Sequence, residues 1–274
     1  MSMAIEILAA PSLRTSWKKM AAHLEKVSYD RLFLNFPQNL EGIITELSEG
    51  KLSYEDFIEN IEEERLVPEP VGSWAYTAEP ILRSLEELKL RNPLLKIHCY
   101  REVDYDRLSA KVASDIAALT LRTSITGKVD VERWKETVKE RIERKSAALK
   151  DEANFIHEMA SHFSACSSGL DGELLKQYLS EKGEKVNLIN MEELYHPTPL
   201  ETLEGRLARE ELPDEEVIKL VREHVKYIRD YILMSKNRDQ AYYQWAYDKI
   251  PSAREKIDLI KIEYMDILLQ NNDA

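Results

Sequence analysis

Ile5-Glu6-Ile7-Leu8-Ala9-Ala10-Pro11-Ser12 is a short apolar run closed by a turn signal. A run of this length, stopped by Pro and Ser, reads as a buried strand. Just beyond it, Trp17, Met20, Ala21 and Leu24 follow the spacing of an amphipathic helix, with Ser12 or Thr15 as the expected cap. Leu32–Phe36 is a second buried strand, ended by Pro37. Gln38–Glu49 and Ser53–Glu64 read as helices, the second opened by Ser53 with Glu55 and Asp56 in its first turn. Pro68, Pro70 and Gly72 mark a loop leading to Trp74. Glu79–Arg91 is a helix stopped by Asn92-Pro93, and Leu94–Tyr100 is a third strand. The alternation of strand and helix implies a parallel sheet with right-handed crossovers.

From Asp104 to Ala160 the pattern is helical almost throughout. Asp104 and Asp130 are expected N-caps, and Gly127 breaks the segment into a long hairpin. His162–Cys166 and Lys185–Asn190 are expected strands. They flank a helix over Asp171–Glu181 that Gly183 ends. After Pro199 the chain reads as helix: Leu200–Glu211, Asp214–Met234, Asp239–Tyr247 and Ser252–Leu269. No internal repeat is present. The expected architecture is α/β, with a central, mostly parallel sheet of about five strands. It is read as a single domain over residues 1–274, with a helical insertion at 104–160 and an all-helical C-terminal extension at 199–270.

Composition narrows the function classes. Net charge is −12, and Lys and Arg are interleaved with Glu along segments such as Glu132–Lys150, as on a solvated helix face. There is no basic footprint for nucleic acid, and an acidic surface disfavours anionic membranes. The two cysteines, Cys99 and Cys166, exclude a disulfide scaffold and point to a reducing compartment. No apolar run approaches the length of a membrane span, and Met1–Ala10 lacks the basic start of a signal peptide. A cytoplasmic location is the expectation. Abundant Glu and Lys with little Gln hint at a thermophile.

In an open parallel sheet, ligands bind beyond the carboxyl ends of the strands. That rule selects Ser12 and Arg14 after the first strand, Asn35 near the end of the second, Tyr100, Arg101 and Glu102 after the third, and Cys166, Ser167 and Ser168 after the fourth; of these, Ser12, Arg14, Asn35, Arg101, Glu102 and Ser167 are the candidate ligand residues. Arg14 and Arg101 suit an anion; Arg101 and Glu102 could equally pair with neighbours. His157-Glu158-Met159-Ala160-Ser161-His162 resembles a zinc-protease signature, but its histidines are five apart. At 3.6 residues per turn that sets them roughly 140° out of line. No metal site is expected, and no structural metal should be needed for folding. The cysteines lie beside apolar strands and read as buried thiols, and His98 as a packed strand histidine. No Gly-rich phosphate loop and no G-x-S-x-G elbow occurs. Tyr242, Tyr243, Trp245 and Tyr247 form an aromatic cluster, read as helical packing or as a partner-binding patch.

Ile5–Leu13, the Trp17–Val27 helix, Leu32-Phe33-Leu34-Asn35-Phe36-Pro37, Trp74-Ala75-Tyr76-Thr77-Ala78-Glu79-Pro80-Ile81-Leu82 and Ser164–Ile189 resemble the TraB, ChaN-like and erythromycin-esterase-like superfamily in pattern. The resemblance implies the parallel-sheet fold. It also implies a Gly-x-x-His motif after the first strand, a Glu closing the second and a later Gly-x-Gly-His turn, serving hydrolytic, metal or haem chemistry. This chain has Ala10-Pro11-Ser12-Leu13, Asn35 and Cys166-Ser167-Ser168-Gly169 at those places. A neutral amide at Asn35 cannot serve as a general base. The expectation is therefore a non-catalytic binding or regulatory protein on a degenerate hydrolase-like fold, with no cofactor and no assigned catalytic residue. Its partner would be a small polar or anionic ligand, or a protein. The alternative is a hydrolase or transferase with a rebuilt site using Arg14, Arg101, Glu102 and either Cys166 or Ser167.

Overall fold

The computed structural model describes residues 4–67 and 70–269, without the side chain of Asp106. It is an α/β protein. The five strands are β1 Ala4–Ala9, β2 Arg31–Pro37, β3 Lys96–Arg101, β4 Phe163–Ser168 and β5 Lys185–Asn190. They form one sheet in the order β3-β2-β4-β1-β5, and all the pairings are parallel. Each expected strand is present, within two residues of its expected ends.

The inner strands carry buried residues pointing to both faces, because the sheet is covered on both sides there. On one face Leu8, Leu32, Leu34, Ile97, Cys99 and Ala165 pack under α1 (Arg14–Leu24), α2 (Glu41–Ser48), α3 (Tyr54–Glu64) and α4 (Val71–Arg91). On the other, Ile5, Ile7, Phe33, Tyr100 and Cys166 pack against Leu149, Ala153 and Ile156 of α6 (Val131–Met159) and Leu175 and Leu179 of α7 (Gly172–Glu181). The crossovers out of β1 and β2 thus lie on one face and those out of β3 and β4 on the other. The direction of winding reverses between the neighbouring strands β1 and β4, which is the topological switch point.

Several local expectations are corrected. The N-cap of α1 is Leu13, with no side-chain cap, and Thr15 lies buried in the first helical turn, so neither Ser12 nor Thr15 caps it. In the expected loop before Trp74, Pro68 lies outside the described residues, Pro70 is the N-cap of α4, and Gly72 and Trp74 are already helical. Pro80 sits inside that helix. A mid-helix Pro costs about 3 kcal/mol. Here the buried stripe of Val71, Ala75, Ala78, Ile81, Leu82, Leu85 and Leu88 holds the helix together across it. The helix α5 (Val103–Thr126) begins before Asp104, which is therefore not its cap. Asp130 does cap α6, accepting from the Arg133 N–H at 3.3 Å. Ser53 caps α3 as expected, accepting from the Asp56 N–H at 3.1 Å.

The chain divides into two compact units. Among the described residues, one holds the sheet and includes residues up to 106 with Ala147–Glu193; the other holds Arg107–Ser146 and residues 194–269. The second unit is helical. It adds α8 (Pro199–Leu207), α9 (Asp214–Tyr227) running into a π-helical turn at Ile228–Ile232, α10 (Arg238–Lys249), α11 (Arg254–Glu263) and α12 (Met265–Leu269). Its core joins Val112, Ile116, Trp134, Val138, Leu203, Val217 and Val221. The expected aromatic cluster is packing within this unit: Tyr242 stacks on Tyr195 at 4.9 Å and Trp245 meets Tyr227 edge-on at 5.4 Å. No described helix is long and apolar enough to cross a membrane.

At Gly172, helix α7 approaches the sheet closely. A Cβ there would lie 2.9 Å from both the Ala9 Cβ and the Leu188 Cδ1. The leucine can rotate away, but the alanine is fixed on β1. Gly172→Ala is expected to lower stability by about 1–3 kcal/mol, as overpacking does. Urea unfolding measures it, and an unchanged midpoint would mean that α7 can rise off the sheet at no cost.

Candidate functional site

At the carboxyl ends of the strands, β2 parts from β4. Their ladder runs Arg31↔Ser164, Leu32↔Ala165 and Phe33↔Cys166 and stops there. The β2–β3 register also shifts between Leu34 and Pro37. Backbone groups that lose ladder partners inside a protein must find others. Side chains supply them: the Asn35 N–H donates to the Ser167 Oγ at 2.8 Å, and the Tyr100 hydroxyl donates to the Ser167 carbonyl at 2.8 Å. Arg101 closes the group. Its Nε and Nη2 donate to the Asn35 Oδ1 at 3.0 and 2.7 Å.

Three of the six residues chosen from the sequence, Asn35, Arg101 and Ser167, thus form one hydrogen-bonded group. Arg14 is turned to α4, where it meets Glu79 at 2.6 Å and sits 5.1 Å from the centre of the Tyr76 ring. Ser12 and Glu102 are exposed, in the segments that follow β1 and β3. Tyr100, which the strand-end rule also selects, joins the group through its hydroxyl, a bond that depends on the parting of β2 and β4. Glu192, two residues past β5, was missed. It is buried, accepts from Lys19 at 2.7 Å and lies 3.5 Å from the Ser16 Oγ on α1. The carboxyl-end rule, extended to the fifth strand, would have found it.

The electrostatics disfavour a nucleophile here. Burial raises the thiols of Cys99 and Cys166 far above the ordinary range, and both are fully buried. Burial likewise raises the Tyr100 phenol, with Cys166 and Glu152 nearby adding to the effect. The Ser167 hydroxyl is engaged by a backbone amide rather than by a His or a carboxylate that could take its proton. His98 faces Glu41 at 3.3 Å and stacks on Phe33, as a packed strand histidine does. His157 pairs with Glu184 at 2.6 Å. Among the described residues no cluster of three or more His, Cys, Asp or Glu side chains is placed to hold a metal ion.

A second titratable cluster lies under α1. Glu6 on β1 receives hydrogen bonds from Tyr29 and from Asn187 at 3.0 Å, and it meets the His23 Nε2 at 3.1 Å. Burial alone would raise the Glu6 carboxyl, but these bonds outweigh it and hold the group below its ordinary value. A cleft of about 190 Å³ opens near Tyr29, lined by Leu24, Leu32, Leu88 and Leu95. It belongs to the amino ends of the strands, away from the Asn35–Arg101–Ser167 group. No family model, curated protein or solved structure matches this chain.

Proposed function

We propose that this chain is a binding or regulatory protein on a degenerate hydrolase-like α/β fold. It holds a small polar or anionic ligand at the carboxyl ends of β2, β3 and β4 without turning it over. One observation carries the proposal: Asn35 stands where the superfamily it resembles has a Glu, and its amide oxygen takes two hydrogen bonds from Arg101. An amide in that place orients the guanidinium through two hydrogen bonds and brings no negative charge of its own, and a guanidinium held in a fixed orientation at the strand ends suits an anion. The same amide offers no proton acceptor for hydrolysis.

The test is a thermal-shift screen of small anions, beginning with inorganic phosphate and sulfate, run beside turnover assays on ester and phosphoester substrates. Stabilisation by one class of anion, with no turnover, is the expected result. Turnover that Ser167→Ala abolishes would instead establish the rebuilt hydrolase. Asn35→Asp sharpens the comparison. A carboxylate there would add a negative charge at the site and repel an anion, so anion binding is expected to fall by about tenfold or more, roughly 1.4 kcal/mol. The melting temperature should hold or rise. Binding that Asn35→Asp leaves intact would place the anion elsewhere.

A further inference from the structure

The two edges of the sheet are finished differently. At the β3 edge, the Cys99 N–H donates to the Glu41 carboxylate at 2.9 Å, so α2 already occupies an outward-facing donor. At the other edge, β5 pairs with β1 alone. The Met191 N–H donates to the Ala9 carbonyl at 2.8 Å, which sets the phase of the strand. Lys185, Asn187 and Ile189 turn their backbone groups to β1, and Val186, Leu188 and Asn190 turn theirs outward. Among the described residues no backbone hydrogen bond from outside the sheet reaches those outward groups.

Natural sheets blunt a bare edge with a Pro, a bulge, inward charge or a cover. Among the described residues, β5 has no Pro, no bulge and no charged residue inside the strand. Its register with β1 is unbroken over Lys185–Asn190, and its one charged residue stands at its first position. Val186 and Leu188 are half-buried on the α7 side, and Asn187 is exposed.

We propose that β5 pairs antiparallel with β5 of a second copy of this chain, about a two-fold axis at Asn187, so that the two sheets become one. Self-complementarity selects this occupant and register. With Asn187 opposite itself, Val186 of each copy falls opposite Leu188 of the other on the same face, an apolar cross-strand pair made twice. Val186 and Leu188 also exchange the outward N–H and C=O groups, as a hydrogen-bonded antiparallel pair does. Charge agrees: Lys182 and Lys185 are exposed at the start of the strand and Glu193 is exposed just past its end. Antiparallel pairing brings the basic corner of each copy to the acidic end of the other. Of the nearby acids, Glu184 is buried against His157, while Glu181, which accepts from Gln177 at 2.9 Å, keeps its charge and leaves the corner basic by the excess of Lys182 and Lys185 over it. A parallel pairing would set like charges side by side.

Sedimentation equilibrium on the full chain tests this. The wild type is expected to show a monomer–dimer equilibrium. Asn187→Lys, which puts two cations at the axis, and Asn190→Pro, which deletes an outward donor, should each raise the dissociation constant by about tenfold or more. Circular dichroism of the monomer should not change. Asn187→Cys should give a disulfide-linked dimer on mild oxidation, since Cys99 and Cys166 are buried. If either substitution prevents folding, the other and the cross-link decide. A wild type that stays monomeric at every concentration overturns the proposal. So does a dimer that the substitutions leave intact and Asn187→Cys does not cross-link.

Discussion

Acidification from pH 6.5 to about 4 is expected to remove about 3 kcal/mol of folding stability through His224 alone. The side chain is buried in the helical unit, edge-on to Trp134 at 6.0 Å, and its Nδ1 has no hydrogen-bond partner among the described residues. Burial lowers its pKa from the ordinary 6.5 to about 4, because an imidazolium there would lose its hydration with nothing in exchange. Above pH 6.5 the group is neutral in both folded and unfolded chains, and its contribution is fully present. Between 6.5 and about 4 the unfolded chain takes up a proton that the folded chain refuses, so stability falls as pH falls. Below that window both states are protonated and this loss stops. Glu6 acts in the same direction but lower, because its folded carboxyl is held below its ordinary value of 4.5. Urea unfolding across the window, compared with His224→Leu, isolates the effect. The wild type should steepen relative to the variant, and parallel curves would show that His224 is not desolvated.

Phe33→Ala is expected to cost about 3–5 kcal/mol, the range for a fully buried aromatic. Phe33 is fully buried in the middle of β2, on the sheet face that packs against α6 and α7. Its ring stacks on His98 at 5.6 Å and shares a cluster with Tyr100 and Cys166. Removing it opens a cavity beneath the strands that carry Asn35 and Arg101, in a layer whose β-strand backbones cannot collapse to fill it. Phe33→Leu, which keeps much of the volume, should cost clearly less. Equal losses for the two would mean that aromatic stacking, not filled space, carries the energy.

The strands β1, β2 and β3 were legible in the sequence because each is a short, mostly apolar run bounded by Pro, Ser or a charged residue, and β4 and β5 because short runs with apolar residues flank a helix that Gly183 ends. The start of α4 was not, because Pro70, Gly72 and Pro80 are local breakers and only the packing of the buried stripe from Val71 to Leu88 overrides them. The division into two units was hidden for a different reason. Two of its boundaries, at Asp106 and Ser146, fall inside the continuous helices α5 and α6, so no linker composition marks them; the third, at Glu193, lies in the Pro-containing loop before α8. Asn35, Arg101 and Ser167 were found because strand ends in a parallel sheet are predictable from strand positions alone. Their mutual bonding depends on where β2 leaves β4, a register event with no local signature. Arg14 satisfied the same positional rule, yet Glu79 of α4 holds it, a pairing that depends on how α1 and α4 pack.

The binding proposal rests on Arg101, and calorimetric titration of the wild type and Arg101→Ala with the anion that stabilises the wild type tests it most directly. A guanidinium making a charge-assisted contact should carry about 2–4 kcal/mol of the binding free energy, so the variant is expected to bind roughly 30- to 900-fold more weakly. Both proteins should melt as folded chains. If Arg101→Ala binds the anion as tightly as the wild type, the Asn35–Arg101–Ser167 group is a structural lock at the parting of β2 and β4 and not a ligand site.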